Sequence, residues 1–222
     1  MADWQPLGLS FEIAFVATIL ATTIGVAIGL LLSQRRFLGR DLIDALTSAP
    51  MVMPPTVLGY YVLVSLGRNS AIGHAWEAVT GGSIVFTRTG AVVAATIGSL
   101  PLVVKSARAA LEGVDPTLLK AARTLGAGPA RAFFTVHLPL AARGLVAGVM
   151  LAFARSLGDF GVTLMVAGDI PGETQTAALA IYDMIQAHQE RAAAGMVAVL
   201  TGITIGALYL VNKLTAVKRD DA

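Results

Sequence analysis

The 222-residue sequence contains no cysteine and little charge. Without cysteine, a disulfide framework and a thiolate metal site are both excluded. Charged residues make up 14% of the chain, whereas ordinary globular proteins contain about 25%. Hydrophobic residues make up 55%, and the mean hydropathy is +0.73. A soluble domain of this composition could not cover its surface with polar groups, so we predict an all-α integral membrane protein.

Other features that the sequence lacks exclude several classes of function. The formal net charge of +2 is too small to indicate a nucleic-acid partner. The sequence has no Gly-x-x-x-x-Gly-Lys-Ser/Thr loop, so this chain is not expected to cradle ATP phosphates. His74, His137 and His188 fall in different predicted loops, and no metal site is expected. No nucleophile, base and orienting group can be recognised, so we expect no enzymatic activity from this chain alone.

Long apolar segments dominate what is present. A spanning helix needs about 20 mostly apolar residues. The segments that qualify as spans one to five are residues 9–32, 43–66, 89–104, 145–167 and 195–211. The first is too long for a cleaved signal peptide, and Asp3 rather than a basic residue precedes it. We therefore predict one transmembrane domain of five helices over residues 1–222.

Lysine and arginine are concentrated on one side of these spans. That side carries Arg35, Arg36, Arg40, Lys105, Arg108, Lys120, Arg123, Arg131, Arg143, Lys213, Lys218 and Arg219. The opposite side has Arg68, Arg88 and Arg191. Because cytoplasmic loops carry the excess of Lys and Arg, we predict an N-terminus outside the cell and a cytoplasmic C-terminus. The loop between spans three and four is then cytoplasmic.

That loop, residues 115–140, has the pattern of a helix, a glycine turn and a second helix. Asp115 suits an N-cap, and Pro116 suits the first helical position. Gly126 suits the left-handed residue that closes a helix. The apolar positions of the first helix are Leu118, Ala121, Ala122 and Leu125, and those of the second are Phe133, Phe134 and Val136. Gly128-Pro129 can begin the second helix, and Pro139 is expected to end it.

Two interpretations of this amphipathic segment remain open on physical grounds. Its basic residues favour a pair of helices lying on anionic lipid. Its small and aromatic residues favour a helix presented to a groove on a protein partner.

Span four contains two charged residues, Arg155 and Asp159. A charge facing lipid at the centre of a helix costs about 2.5–3.5 kcal/mol on insertion scales. The two residues could neutralise each other as a purely structural pair. Alternatively they line the passage, with Arg155 attracting an anionic substrate. Gly158 and Gly161 beside them would allow the backbone to bend or to pack closely.

Span two contains three prolines within six residues, the last two being Pro54 and Pro55. Proline removes backbone donors, and freed carbonyls cannot face lipid. We expect a broken helix that faces protein or a wet cavity, either as a packing kink or as a substrate path beside Thr56. Hydroxyls at Ser65, Thr96 and Ser99 could contact an oxyanion, but such groups usually bond to their own helix. Small-residue packing motifs of the Gly-x-x-x-Gly form occur at Gly25 and Gly29, Gly144 and Gly148, and Gly202 and Gly206.

The cytoplasmic segment resembles the signature of the permease subunits of ABC importers, E-A-A, three residues, Gly, nine residues, I-x-L-P. The matching positions are Lys120, Ala121, Ala122, Gly126, Val136, Leu138 and Pro139. Lys120 stands where the family has an acidic residue. The resemblance implies the type I importer permease core. It also implies that these residues and Leu125 form a coupling helix seated in a cleft of a cytoplasmic ATPase.

Two longer strings, APMVMPPTVLGYYVLVSLG and ARSLGDFGVTLMVAGDIPGETQTAALAIY, resemble bacterial molybdate permeases. The resemblance implies molybdate import across the cytoplasmic (inner) membrane, with tungstate or sulfate as the alternative. It implies a homodimer on two ATPase subunits that bind ATP and magnesium. An extracytoplasmic oxyanion-binding protein would dock on loops 67–88 and 168–194. A secondary transporter or channel is the alternative of another class, and Asp159 is its only candidate coupling-ion carboxylate.

Overall fold

The computed structural model describes residues 4–33 and 37–215, in which helices are joined by turns and short links and no strand occurs. The helices are α1 (Gln5–Ser33), α2 (Arg40–Val52), α3 (Pro55–Leu66), α4 (Ala71–Thr80), α5 (Arg88–Glu112), α6 (Pro116–Thr124), α7 (Pro129–Ala132), a π-helix (Phe133–His137), α8 (Leu138–Leu157), α9 (Gly161–Ala167), α10 (Ala177–Gln186) and α11 (Glu190–Thr215). Arg35, Arg36, Lys218 and Arg219, which contribute to the predicted orientation, lie outside the described residues.

Four helical segments are long and apolar enough to cross a membrane. They are α1, α5, the continuous helix Pro129–Leu157 and α11. With the bent pair α2 and α3 counted as a further span, the total is up to five in the described chain. The prediction of an all-helical membrane protein is confirmed. The third span is longer than predicted, because α5 continues past residue 104 to Glu112, where its last turns carry ion-paired charges.

Helix α5 lies at the centre of the bundle and packs against α1, α8, α9 and α2. Glycines permit the close packing of α1 and of α8 against α5. A Cβ on Gly29 would lie 2.7 Å from the Cβ of Ala107, and one on Gly148 would lie 2.5 Å from the Cβ of Ser106. Gly25 and Gly144 meet α5 in the same way, whereas Gly202 and Gly206 on α11 have no such neighbour within 4 Å. Two of the three predicted glycine motifs therefore serve packing within one subunit.

The predicted second span is two helices, not one. α2 and α3 meet at an angle of 116°, and the break falls at Met53 and Pro54. Pro54 caps α3, and Pro55 occupies its first turn, where a missing N–H costs no hydrogen bond. The expected broken helix is confirmed, and α3 beyond it packs closely on α9, where a Cβ on Gly59 would lie 2.7 Å from the Cβ of Met165.

The second helix of the predicted loop and the predicted fourth span each need a correction. Pro139 does not end a helix: α7, the π-helix and α8 form one continuous helix from Pro129 to Leu157. The π-turn accommodates the proline, since the N–H of Leu138 reaches back to the carbonyl of Phe133 and the wider turn needs no donor from Pro139. In addition, residues 145–167 are not one helix, because α8 ends at Leu157 and α9 begins only at Gly161.

Candidate functional site

The break between α8 and α9 carries the two charged residues of the predicted fourth span. Arg155 lies in the last turn of α8, Gly158 follows as its C-cap, and Asp159 lies in the non-helical link to α9. A guanidinium Nη1–H donates to the Asp159 carboxylate over 2.9 Å. The two residues are thus paired across a helix end. The predicted fourth span contained both residues, and the structure breaks that span between them.

Asp159 is held from both sides and is almost fully buried, with 3% of its surface exposed. Its second carboxylate oxygen accepts hydrogen bonds from the backbone N–H of Thr163 (3.1 Å) and from the Thr163 hydroxyl (2.6 Å). These bonds satisfy donors in the first turn of α9, as an N-cap side chain does. Asp159 therefore fixes the start of α9 and the position of the Arg155 side chain.

Arg155 faces a cavity of about 250 Å³ between the broken second span, α5 and α9. The cavity is lined by Pro50, Met51, Met53, Pro55, Leu58, Gly98, Pro101, Leu102, Arg155 and Val162. The Arg155 side chain is 38% exposed, and its guanidinium has five N–H donors, of which Nη1 serves Asp159. The arrangement presents a fixed cation to a small, mostly apolar chamber, which suits an anion.

The two helix breaks touch each other at this cavity. A Cβ on Gly161 would lie 2.6 Å from the Cβ of Pro55, so only glycine permits this approach. Of the other predicted pathway residues, Pro54, Thr56 and Gly158 are exposed and do not line the cavity. The structure thus brings Pro55, Arg155, Asp159 and Gly161 together and leaves the remaining three at its margin.

Three residues near the pair were missed by the sequence reasoning. Thr163 could have been found, because glycine is a signal for a helix end and aspartate for a helix start, and Gly158-Asp159 is followed by a hydroxyl residue four positions after the aspartate. Gly98 and Pro101 on α5 carried no such signal. A Cβ on Gly98 would lie 3.6 Å from both the Arg155 guanidinium and the Asp159 carboxylate. Their position depends on how α5 packs, which local patterns do not specify.

The hydroxyls of α5 do not serve the cavity. Thr96 donates to the carbonyl of Val92 and Ser99 to that of Ala95, at 2.7 and 2.8 Å. Ser65 is exposed on α3. The expectation that Thr96 and Ser99 bond to their own helix is confirmed.

The segment of residues 115–140 folds as predicted in its first half. The Asp115 carboxylate accepts the N–H of Thr117 over 2.8 Å, which caps α6. That hydrogen bond holds the pKa of Asp115 below its usual value, with a smaller contribution from Lys120. Gly126 has a φ of +87°, and the N–H of Ala127 returns to the carbonyl of Ala122. The predicted left-handed glycine turn is therefore confirmed.

Helix α6 is displayed on the surface, and none of its residues is buried. Leu125 directly after it is 88% exposed. The remaining predicted coupling positions differ in exposure. The exposed ones are Lys120, Ala121, Gly126 and Pro139, and the half-buried ones are Ala122, Val136 and Leu138. An exposed leucine beside small alanines is the surface that a groove on another protein would accept. The base of the segment is anchored, since the His137 ring lies 3.0 Å from the carbonyl of Leu111.

Comparison with known families shows to which protein family this chain belongs. The model of the family described as "Binding-protein-dependent transport system inner membrane component" matches residues 21–214. The chain belongs to this family. It is accordingly a multi-pass inner membrane permease. The alternative of a secondary transporter or channel is set aside by this membership.

Relatives of the permease are named for two different substrates. It is 41% identical over 221 residues to the molybdenum transport system permease protein ModB of Escherichia coli (strain K12), with 99% of this chain and 96% of that protein covered. It is 35% identical over 201 residues to the sulfate transport system permease protein CysT of the same strain, covering 90% of this chain and 72% of that one.

A solved structure has the same fold. The permease matches a chain of the MetNI methionine ABC transporter, in an inward-facing crystal form, with a TM-score of 0.70 at 18% identity, and 97% of each chain is covered. The fold is therefore that of ABC importer permeases, as the signature in residues 120–139 implied.

Proposed function

We propose that this permease moves molybdate into the cytoplasm as the membrane subunit of an ATP-driven importer. The observation that carries the proposal is the similarity to the ModB permease, which extends over 99% of this chain at 41% identity. The site supports the same substrate class, because Arg155 presents a positive charge to the cavity and is held there by a buried carboxylate.

The cavity is suited in size to a tetrahedral oxyanion. Its volume is about 250 Å³, several times the roughly 30 Å³ that one water molecule occupies in the liquid. An anion of five heavy atoms fits with part of its hydration shell. Arg155 would attract the dianion, and the apolar walls would keep binding weak enough for release.

The partners follow from the family's description and from the exposed coupling segment. A binding protein delivers the substrate to loops 67–88 and 168–194 on the outer side. Two ATPase subunits, which bind ATP and magnesium, receive α6 and Leu125 in a cleft on the inner side, and two copies of this chain form the passage. In this arrangement the N-terminus lies outside, and ATP hydrolysis takes place in the partner subunits.

Transport in reconstituted vesicles tests the function. The permease, its ATPase and its binding protein are placed in liposomes with ATP inside, and uptake of labelled molybdate is measured. We expect ATP-dependent uptake that unlabelled tungstate competes for and that a hydrolysis-deficient ATPase abolishes. No uptake by an assembled complex with an active ATPase would overturn the proposal.

Sulfate is the second candidate, and the similarity to CysT favours it. Molybdate and sulfate share charge and tetrahedral shape, so Arg155 alone does not separate them. In the same vesicles, a hundredfold excess of sulfate should leave molybdate uptake nearly unchanged if molybdate is the substrate. Complete competition by sulfate would favour the alternative.

The orientation has its own test, made simple by a cysteine-free sequence. Cysteines introduced at the exposed positions Ala78 and Glu173 should react with a membrane-impermeant thiol reagent added to intact cells, and a cysteine at Arg36 should not. Labelling at Arg36 alone would invert the arrangement and remove α6 from the cytoplasm.

A further inference from the structure

Five charged side chains form a connected cluster between α2 and the end of α5, here called the ionic joint. Asp44 of α2 accepts hydrogen bonds from Lys105 at 2.5 Å and from Arg108 at 2.7 Å. Arg108 also donates to Glu112 over 2.9 Å, and Arg40 at the start of α2 donates to the same Glu112 oxygen over 2.9 Å. Opposite charges alternate through the whole cluster.

The ionic joint is more than a set of exposed ion pairs. The side chains of Arg40, Asp44 and Arg108 are 19%, 25% and 24% exposed. Isolated exposed pairs contribute little to stability, whereas connected and well-oriented groups contribute more. A second bond of Arg40, from Nε to the carbonyl of Leu32 at 2.9 Å, ties the joint to the end of α1 as well.

The joint is a principal attachment of α2 to the rest of the subunit. No residue of α2 is buried, and α5 is the helix against which it packs in the described chain. Four of its large apolar side chains, Leu42, Leu46, Met51 and Val52, are each more than 60% exposed, and Ile43 is half-buried. With little apolar contact to hold it, the position of α2 depends on the charges of Asp44 and its partners.

The joint also lies between the two functional parts of the permease. On one side, Glu112 ends α5, and Asp115, three residues later, caps the coupling helix α6. On the other side, α2 leads to the break at Met53, and Met51 and Met53 line the cavity of Arg155. The chain link of residues 113–115 joins α6 to the end of α5, and α5 contacts α2 through the joint, so a continuous path leads from α6 to one wall of the cavity.

We propose that Asp44 is a positioning residue that transmits movement of the coupling helix to the cavity wall. It holds α2 through Lys105 and Arg108, so that α2 follows the end of α5 instead of moving independently. This inference rests on the proposed import function. Coupling between sites needs a physical element that both sites bias, together with a direct test of it, and the ionic joint supplies that element.

The absence of native cysteine permits a test in which only the sign of one charge differs. Asp44→Cys is prepared in the full complex and treated with either of two methanethiosulfonates of similar length, sulfonatoethyl or trimethylammonioethyl. The first restores a negative charge and the second installs a positive one. The quantity measured is molybdate imported per ATP hydrolysed, and the unsubstituted complex treated identically sets the baseline.

We expect Asp44→Cys to lower this ratio about tenfold, within the range of roughly 5- to 150-fold that is typical of coupling between sites. The sulfonate adduct should recover most of the loss, and the ammonium adduct should recover none. Asp41→Cys serves as the control, because Asp41 lies on the same helix as Asp44, is exposed, and takes no part in the joint. Neither adduct at Asp41 should change the ratio.

Equal ratios for the two Asp44 adducts, or an unchanged ratio in Asp44→Cys, would overturn the inference. If Asp44→Cys fails to assemble, Lys105→Met tests the same joint from its more exposed partner, and its import per ATP should also fall. Where both variants assemble, Asp44→Asn combined with Lys105→Met should lose no more than Asp44→Asn alone, since contacting residues are not additive. Failure of the import function itself would show separately, as absence of uptake in the unsubstituted complex.

Discussion

Removal of the Asp159 carboxylate should damage the protein more than removal of the arginine that it binds. Asp159→Ala leaves the Arg155 guanidinium and both donors of Thr163 without their acceptor, at a position that is 3% exposed. Breaking a buried ion pair by deleting one partner costs about 3–5 kcal/mol. Because the Arg155 side chain is 38% exposed, we expect the lower end, about 3 kcal/mol.

The expected order of stabilities follows from what each variant leaves unpaired. Arg155→Leu leaves the carboxylate with its two bonds from Thr163, so it should cost less, about 2 kcal/mol. The double variant Arg155→Leu, Asp159→Ala strands no charge and should be more stable than Asp159→Ala alone. For a domain of this size each kcal/mol corresponds to about 2–4 °C in Tm, so Asp159→Ala should melt roughly 6–12 °C below the unsubstituted protein.

Thermal unfolding of the purified complex and vesicle uptake together separate structure from transport. Arg155→Leu and the double variant should both assemble and lose molybdate uptake, while Arg155→Lys, which keeps the charge, should retain part of it. Uptake at the unsubstituted rate in the double variant would show that the pair is only structural. An Asp159→Ala protein that melts within about 2 °C of the unsubstituted one would refute the magnitude derived from its hydrogen bonds.

Three further outcomes can be checked. Gly148→Ala should lower Tm, since overpacking costs about 1–3 kcal/mol, whereas the matched Gly202→Ala should not, because a Cβ there meets nothing within 4 Å. Burial, reinforced by the carboxyl of Asp183, raises the pKa of Asp169; the folded state therefore binds that proton more tightly, and stability falls as the pH rises above the unfolded pKa of about 3.9. Asp169→Asn should accordingly raise Tm at pH 7, with the gain vanishing toward pH 4. Ala122→Arg should abolish uptake without affecting membrane insertion, because α6 could no longer enter a groove; undiminished uptake would remove the coupling assignment.

Features set by local chemistry were predictable from the sequence. The apolar segments of the sequence located four of the long helices, because a helix that crosses a bilayer needs about 20 mostly apolar residues. The left-handed conformation of Gly126 and the cap at Asp115 also followed from single residues and their immediate neighbours. The glycine motifs on α1 and α8 were recognisable, although which helix they approach was not.

Features set by packing were not predictable in the same way. The apolar window 145–167 concealed a helix break, because the residues of the break are themselves mostly apolar or glycine and hydropathy averages over them. Pro139 was misread because a proline ordinarily ends a helix, while the π-turn before it is stabilised by packing on α5 through His137. Gly98 became part of the site only through the register of α5 against α8.

The continuous helix from Pro129 to Leu157 has a mechanical consequence. Its 29 residues rise about 1.5 Å each, which makes a rod of about 43 Å. One end of the rod follows the glycine turn after α6, and the other end carries Arg155. A rotation of about 10° around one end displaces the opposite end by roughly 7 Å over this length. Such a rod, tilted slightly at the end near α6, would act as a lever and move Arg155 far enough to reshape a chamber of oxyanion size.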